Sequence, residues 1–582
     1  MRRDIPIVRH QTDVLIVGGG AAGTMAAFEC AQAGVAVIQV TKGRATSGTT
    51  TVARGGFAAA MGKDDSPELH LRDILKYGGE LIDPELARVW VHDIIAVVRD
   101  LESWGAEFVR RPDGELDLKA FPSHSRKRAC HHYDTTGNMI TKVLSKKLRG
   151  DDRIDKHSIT AVVDLIKRNG RVVGAWGVDY RNGALVIYRA KQIILCTGGG
   201  SGLFYVNDNP PQVTGDGYVM GFRAGAPLIG IEMIDFQAMC CWPQELFGFA
   251  PHPTGFINAG AVFRNRNGEE FLKRYFPDTA EQSTRSEVIL AMAKEIHAGR
   301  AGSTGGIFMD ATSVPLAVIQ KQIPHVYKTC LHRGIDISKT PLEVAPGSHT
   351  WLGGLQIDCD GKTPVAGLFA AGETAGGIHG GNRIGGSALS ASLVYGRRAG
   401  RRAAELVKQE RIALAADDAG AIAEADLAWL AGLMSRDRGP LQADVRMACR
   451  MLAHDKLGPI RDERSLKQAL AEYERIERED VPAMRLDDKA RGSDKLLGEE
   501  LESALSVRNL ALLGRIVAVA ALRRTESRGA HFRLDYPQTD DAHWRVVTRV
   551  QPGPDGGIEF YADPVKEPAA PPNFLDASVA GG

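Results

Sequence analysis

The first strong pattern in the chain is a continuous apolar run, Asp13-Val-Leu-Ile-Val17, without polar alternation. A run of that kind predicts a strand buried on both faces of a parallel sheet. Gly18-Gly-Gly20-Ala-Ala-Gly23 follows, then helix-forming residues from Thr24 to Ala33, then a second apolar run from Val35 to Val40. Strand, glycine turn, helix and strand thus succeed one another within about 30 residues, the context in which G-x-G-x-x-G has a mechanism. Two more strand-then-glycine passages come much later, at Ile193-Ile-Leu-Cys-Thr-Gly198-Gly-Gly200 and Gly367-Leu-Phe-Ala-Ala-Gly372-Glu373. Their separation predicts an α/β nucleotide-binding domain in two parts, 1–236 and 346–408, interrupted over 237–345 by an α+β capping or substrate domain. That insert carries a helical stretch near Ser286 to Ala298. Beyond 408 the chain turns Ala-, Leu-, Glu- and Arg-rich with a period of 3.6, which predicts a helical C-terminal domain over 409–582. Its tail from Glu567, with Pro-Ala-Ala-Pro-Pro, reads as an extended arm.

Composition narrows the partners. The 72 Lys and Arg nearly balance the 71 Asp and Glu, so no global charge favours nucleic acid or an anionic membrane surface. No run of about 18 apolar residues is evident, so no direct membrane insertion is expected. Two arginines near the start precede no apolar segment of signal-peptide type, which leads to the expectation of a cytoplasmic protein, peripheral to a membrane only through a partner. The eight cysteines are scattered without a C-x-x-C, so neither a disulfide framework nor an iron–sulfur ligand set is expected in this chain, and no metal site. Glycine, at 65 residues, is the outlier, and its clustering suggests backbone approaching a ligand.

The first glycine turn carries the earliest chemistry, and it marks the domain as Rossmann-type. Gly18 permits the tight turn, Gly20 lets the backbone approach a pyrophosphate, and Gly23 lets helix pack on strand. The helix start then presents its free N–H groups to phosphate. Where an acidic residue often ends the second strand to hold a ribose, this chain has Thr41-Lys42.

That departure, with the segment Thr46-Ser-Gly-Thr49-Thr-Thr-Val-Ala53-Arg-Gly55-Gly56, resembles the flavoproteins of succinate dehydrogenase, fumarate reductase and L-aspartate oxidase. The resemblance continues in order through His124-Ser-Arg126-Lys-Arg128, Asp134-Thr-Thr-Gly137, Thr214-Gly-Asp-Gly217 and Gly347-Ser-His349-Thr-Trp-Leu-Gly-Gly354. It ends with His379-Gly-Gly-Asn382-Arg383-Ile-Gly-Gly386 and Thr525-Glu-Ser-Arg528-Gly-Ala-His531, so it covers most of the chain. It implies FAD held by Gly18, Gly20, Ala21, Ala22, Gly23, Thr41, Lys42, Thr49, Thr50, Gly55 and Gly56. Thr197, Gly198, Gly199, Asp216, Glu373, Ser387 and Leu389 complete the set, with Glu373 on the ribose and the helix after Gly385-Gly386 aimed at the flavin ring. Many family members bond the flavin to a histidine, and Thr49 stands in that place, so the resemblance implies non-covalent FAD. It also implies that His349 and Arg383 hold a substrate carboxylate, for which a planar guanidinium is suited.

The pattern breaks in the insert. Dicarboxylate relatives carry F-H-P-T-G and then T-E-G-x-R-G-E-G-G, whose arginine is expected to move a proton. Here His252-Pro-Thr-Gly255 resembles the first element, while Ile231-Glu-Met-Ile-Asp-Phe236-Gln237 puts Gln237 in the histidine's place; both stay open as catalytic candidates. The R-G-E-G-G arginine is missing under either alignment, and Arg264 and Arg266 read as solvated loop arginines. Cys240 and Cys241 read as buried inert thiols rather than a redox pair. The expected function is an FAD-dependent oxidoreductase acting on a small carboxylate, with hydride passing between substrate and flavin N5. Electrons would pass to an iron–sulfur, ferredoxin-like subunit or a soluble acceptor. The alternatives are a stand-alone oxidase like L-aspartate oxidase, a subunit like adenylylsulfate reductase α, and an FAD-bearing electron carrier without substrate chemistry of its own.

Overall fold

The computed structural model describes residues 6–566, apart from 45–46, 122, 243, 252, 411–413 and 415–421. The first apolar run extends into the strand Ile7–Val17, whose Val14, Leu15 and Ile16 are wholly buried. It pairs in parallel with Val37–Thr41 on one side and Ala184–Leu195 on the other. Ile154–Ser158 continues the sheet in parallel beyond Val37–Thr41. Arg171–Asp179 and then Thr160–Arg168 extend it antiparallel past Ala184–Leu195. Leu368–Ala370 joins from far downstream, in parallel with Ile193 to Leu195, which makes seven strands. Val17 and Ala370 are both register partners of Leu195, so the three strand-then-glycine passages end abreast. Ligands of open α/β sheets bind at such carboxyl ends.

The helix Ala21–Gln32 lies directly after the first strand and carries mostly small residues because another helix, Ser387–Gln409, crosses it closely. A Cβ at Gly396 would fall 2.3 Å from the Ala22 carbonyl oxygen, and one at Gly400 2.6 Å from that of Ala26. Each glycine costs about 1 kcal/mol of helix propensity, and the approach of the two backbones requires both.

A second, antiparallel sheet runs in the order Ile234–Cys241, Leu342–Trp351, Ile307–Asp310, Val262–Arg264. Its strand Leu342–Trp351 crosses the expected boundary at 345/346 and returns the chain to the first sheet. Beside it the helix Arg285–His297 starts on a capping box: Thr284 Oγ1 accepts from the Glu287 N–H and the Thr284 N–H donates to Glu287. That cap makes Arg285 the first helical residue. Arg264, expected in a loop, lies in the strand Val262–Arg264 and is paired with Asp310 and Glu270, both at 2.9 Å; the exposed Arg266 side chain donates to the Gly299 carbonyl.

Helices Gln442–Lys456, Glu463–Arg475 and Asp494–Arg523 form the C-terminal bundle. By length and composition Asp494–Arg523 could cross a membrane, with mean hydropathy 1.6, although no apolar run that long stood out in the sequence. Its apolar stretch is 72% buried inside the fold, and its Arg515 pairs with Glu477 at 2.8 Å, the pattern of a core helix. The helical region then ends in a hairpin, Val546–Pro552 and Ile558–Pro564, that pairs with Leu228–Ile229. Helical periodicity gave no sign of it. The tail from Glu567 lies outside the described residues.

Candidate functional site

The three abreast strand ends open onto a cleft walled by Gly18 to Ala22, Thr41 to Gly43, Ser47 to Thr50, Thr197, Gly198, Asp216, Glu373 and Leu389. The glycines are required by contact. Gly18 has φ +120°, and a Cβ there would sit 2.0 Å from the Cys196 carbonyl oxygen. A Cβ at Gly23 would sit 2.1 Å from the Gly18 oxygen, so that residue packs the turn on itself instead of lining the cleft. At Gly20 the nearest atom is Thr50 Oγ1 at 3.3 Å, on the open side. The Thr50 hydroxyl accepts from the Ala21 N–H at 3.0 Å, at the start of the helix. Gly199 stands behind the wall, where a Cβ would meet the Glu373 carboxylate at 2.2 Å. Gly55 and Gly56 lie against Phe121 and Cys130.

Lys42 reaches away from the sheet. Its ammonium donates to Thr214 Oγ1 and Ser506 Oγ, both at 2.8 Å, and pairs with Asp216 at 2.9 Å and Glu502 at 2.6 Å. Asp216 also accepts from Asn509 at 2.9 Å. Burial opposes ionisation of both groups, but their mutual attraction and hydrogen bonds hold Lys42 above and Asp216 below the usual ranges. The pair therefore ties the cleft to the helix Asp494–Arg523. Glu502, Ser506 and Asn509 had no sequence signal pointing at the cleft.

The cleft fits a flavin dinucleotide. Its turns leave room for backbone only, and one buried hydroxyl, Ser387 Oγ at the start of Ser387–Gln409, has no hydrogen-bond partner. Glu373 borders the cleft and accepts from the Trp351 N–H at 2.8 Å. Burial lifts its carboxyl to about 7, against that hydrogen bond and the nearby His349 and Arg383 charges.

Past Glu373 a second group of charges gathers from five separate segments. His349, on Leu342–Trp351, pairs through Nδ1 with Asp208 at 2.7 Å. Asn209 joins the two ends of the site: its Nδ2 donates to the His349 carbonyl at 2.7 Å and its Oδ1 accepts from Thr49 at 3.1 Å. Arg383, 7% exposed, donates to Asp235 Oδ2 at 3.4 Å, and its Nε has no partner. Arg285 donates to the same oxygen. Burial and the neighbouring Arg285 lower the Arg383 pKa below its usual value. His379 beside it is buried, and burial plus Arg383 push its pKa down to about 3, so it is neutral.

Of the catalytic candidates, His349 and Arg383 come together here. Gln237 is buried on Ile234–Cys241, and its Oε1 accepts from the adjacent Ala238 N–H at 3.0 Å. His252 lies outside the described residues. Cys240 and Cys241 are buried, and burial raises both thiols, which makes them poor nucleophiles. The residues that sequence reasoning passed over are Asp208, Asp235 and Arg285. Arg285 brings a second guanidinium to the pocket of a chain without the R-G-E-G-G arginine. Its signal was the capping box Thr284-Arg-Ser-Glu287, which predicts a helix start.

Comparison with known proteins agrees with this architecture. A model described as FAD binding domain matches residues 13–389, and one described as fumarate reductase flavoprotein C-term matches 446–574. A fumarate reductase (CoM/CoB) chain of Methanothermobacter marburgensis is 34% identical over 91% of this chain and 95% of its own length. An L-aspartate oxidase of Caulobacter vibrioides is 31% identical over 94% and 98%. Among solved structures, Mycobacterium smegmatis Sdh1 in complex with UQ1 superposes with a TM-score of 0.88 at 32% identity, covering 97% of this chain and 96% of that one.

Proposed function

The chain belongs to the FAD-binding fumarate reductase flavoprotein family and is an FAD-dependent oxidoreductase, and from that premise we propose that it interconverts a small carboxylic acid and its oxidised counterpart. The observation that carries this reading is the convergence of Arg383 and Arg285 on one oxygen of Asp235, beside His349 and next to the cleft. Arg383 supplies the planar fork for a substrate carboxylate, and its unpartnered Nε is a donor still to be matched. Arg285 steadies the developing charge, and His349, oriented by Asp208, adds a directional contact. FAD, when bound, supplies the two-electron acceptor or donor. Glu373 and the Ser387 hydroxyl hold it at the ribose and ring ends, and the Gly18–Gly23 turn faces its phosphates. Thr49 offers only a hydroxyl already bonded to Asn209, so the flavin is held without a covalent link.

Mixing the holoprotein anaerobically with a panel of small acids should bleach the flavin with at least one of them, and an Arg383→Ala variant should bleach far more slowly. A flavin that no acid reduces, and whose reduced form no unsaturated acid reoxidises, would leave only an electron carrier. Acid precipitation should release all FAD into the supernatant; flavin left on the polypeptide would refute the non-covalent reading. With no C-x-x-C of its own, the chain passes electrons to an iron–sulfur partner or to a soluble oxidant. Air reoxidation as fast as turnover would dispense with the partner.

A further inference from the structure

A site that grips carboxylates has little use for a carboxylate of its own, yet Asp235, 4% exposed, is shared by both arginines of this cluster. Its Oδ2 accepts from Arg383 at 3.4 Å and, more closely, from Arg285. Two guanidiniums against one carboxylate leave the pocket a single positive charge. The imidazole that could add another is set against Asp208 at 2.7 Å. His379 is neutral, with its pKa pushed down to about 3 by burial and Arg383. Glu373 adds no positive charge in either protonation state.

Resting on the carboxylate-oxidoreductase reading above, we propose that Asp235 sets the substrate class: the pocket takes an acid with one carboxylate, its far end neutral or hydrogen-bond-donating, and rejects dicarboxylates. The substrate's carboxylate reaches Arg383 at the unpartnered Nε and competes with Asp235 only for the 3.4 Å contact, the looser of its two. Asp235 stays on Arg285, since its strand belongs to the second sheet and Arg285 opens the helix that flanks that sheet. A second carboxylate would face Asp235 and Asp208 with no unpaired cation left, and like charges in a desolvated site repel strongly.

Crotonate and fumarate test this cleanly, because they share a trans four-carbon alkene and differ in one end, methyl against carboxylate. Their dissociation constants are read from the absorbance change of the oxidised flavin in the holoprotein. Wild type should bind crotonate at least tenfold more tightly than fumarate. Asp235→Asn, of the same shape without the charge, should move that ratio at least tenfold towards fumarate while FAD content stays at wild-type level. Equal or tighter binding of fumarate by wild type overturns the proposal, and this arm needs no folded variant. A ratio unmoved in a flavin-loaded Asp235→Asn overturns it too. Binding of both acids with the wrong ratio leaves the carboxylate reading standing. If neither acid perturbs the flavin, the carboxylate reading itself falls, and the proposal with it.

Discussion

Glu232 and Asp235 lie three residues apart where the chain enters the strand Ile234–Cys241, both buried and both paired with arginines. Glu232 faces the C-terminal region. It accepts from Arg524 Nε at 2.9 Å and from the Thr548 hydroxyl at 2.7 and 2.8 Å. Arg524 spends its other donors on Glu526 and on the Trp544 and Val546 carbonyls. Glu526 in turn holds Arg528, and the backbone carbonyl of Glu232 accepts from Arg461 at 2.8 Å. Asp235 faces Arg285 and Arg383, meeting the latter at 3.4 Å, while Arg383 Nε has nothing. Both clusters are ionic and buried. One is almost saturated with hydrogen bonds and the other is not. A buried charge left short of partners costs free energy, so a fold keeps it where a ligand completes the set. The Thr525-Glu-Ser-Arg528-Gly-Ala-His531 motif thus works as a fastener, while His379 to Gly386 holds the arginine that the proposed function assigns to the substrate.

The sharpest way to break this comparison is to remove an arginine from each side. Arg524→Ala leaves Glu232 buried without its cation, while Glu526 keeps Arg528, and denaturant unfolding should show a loss of about 3–5 kcal/mol, with FAD content falling as the fold loosens. Arg383→Ala leaves Asp235 on Arg285, so stability should change little. Its effect should appear in kcat/KM, a loss of about 2–5 kcal/mol or roughly 30- to 5,000-fold. Reversed outcomes would mean that the two clusters had been assigned the wrong way round.

A pH series sharpens the contrast on the cleft side. Burial holds the Glu373 carboxyl at about 7, above the ordinary value for a glutamate, so the folded apoprotein keeps a proton that the unfolded chain releases. Stability from this group is therefore complete below about pH 4.5 and falls as pH rises through about 7, by about 3 kcal/mol in all. In Glu373→Gln that slope should vanish from the apoprotein's unfolding curves. A slope that survives would place the titration elsewhere. The smallest effect belongs to the fastener's rim. Thr548→Val removes one hydroxyl from Glu232 and should cost about 1–2 kcal/mol, without altering turnover.

How much of this could be read in the chain differs between the two halves of the site. The strand at Asp13 to Val17, the glycine turn after it and the later passages at Ile193 and Gly367 were legible because each is local. A buried parallel strand must be continuously apolar, and a backbone that passes within contact distance of another must be glycine, as at Gly18 and Gly23. Family resemblance added His349 and Arg383, and both lie close enough to Glu373 for their charges to act on its carboxyl. The hairpin after Trp544 was not legible, since its strands follow a long helical stretch and are held by a partner, Leu228–Ile229, far away in sequence.

The places of the apolar strands and their glycine turns are written locally in the chain, because steric demands of that kind are met within a few residues. Which charges meet depends on the folded arrangement. Asp208, Asp235, Arg285, His349 and Arg383 come from distant segments, and nothing local marks Asp208 or Asp235 among the charged residues that make up a quarter of the chain. An ion pair is a matter of distance and burial, and both are set by strands pairing across long separations. Hence Asp235 reads as an ordinary strand-entry residue in the sequence, and as the shared partner of Arg285 and Arg383 once Ile234–Cys241 lies beside Leu342–Trp351.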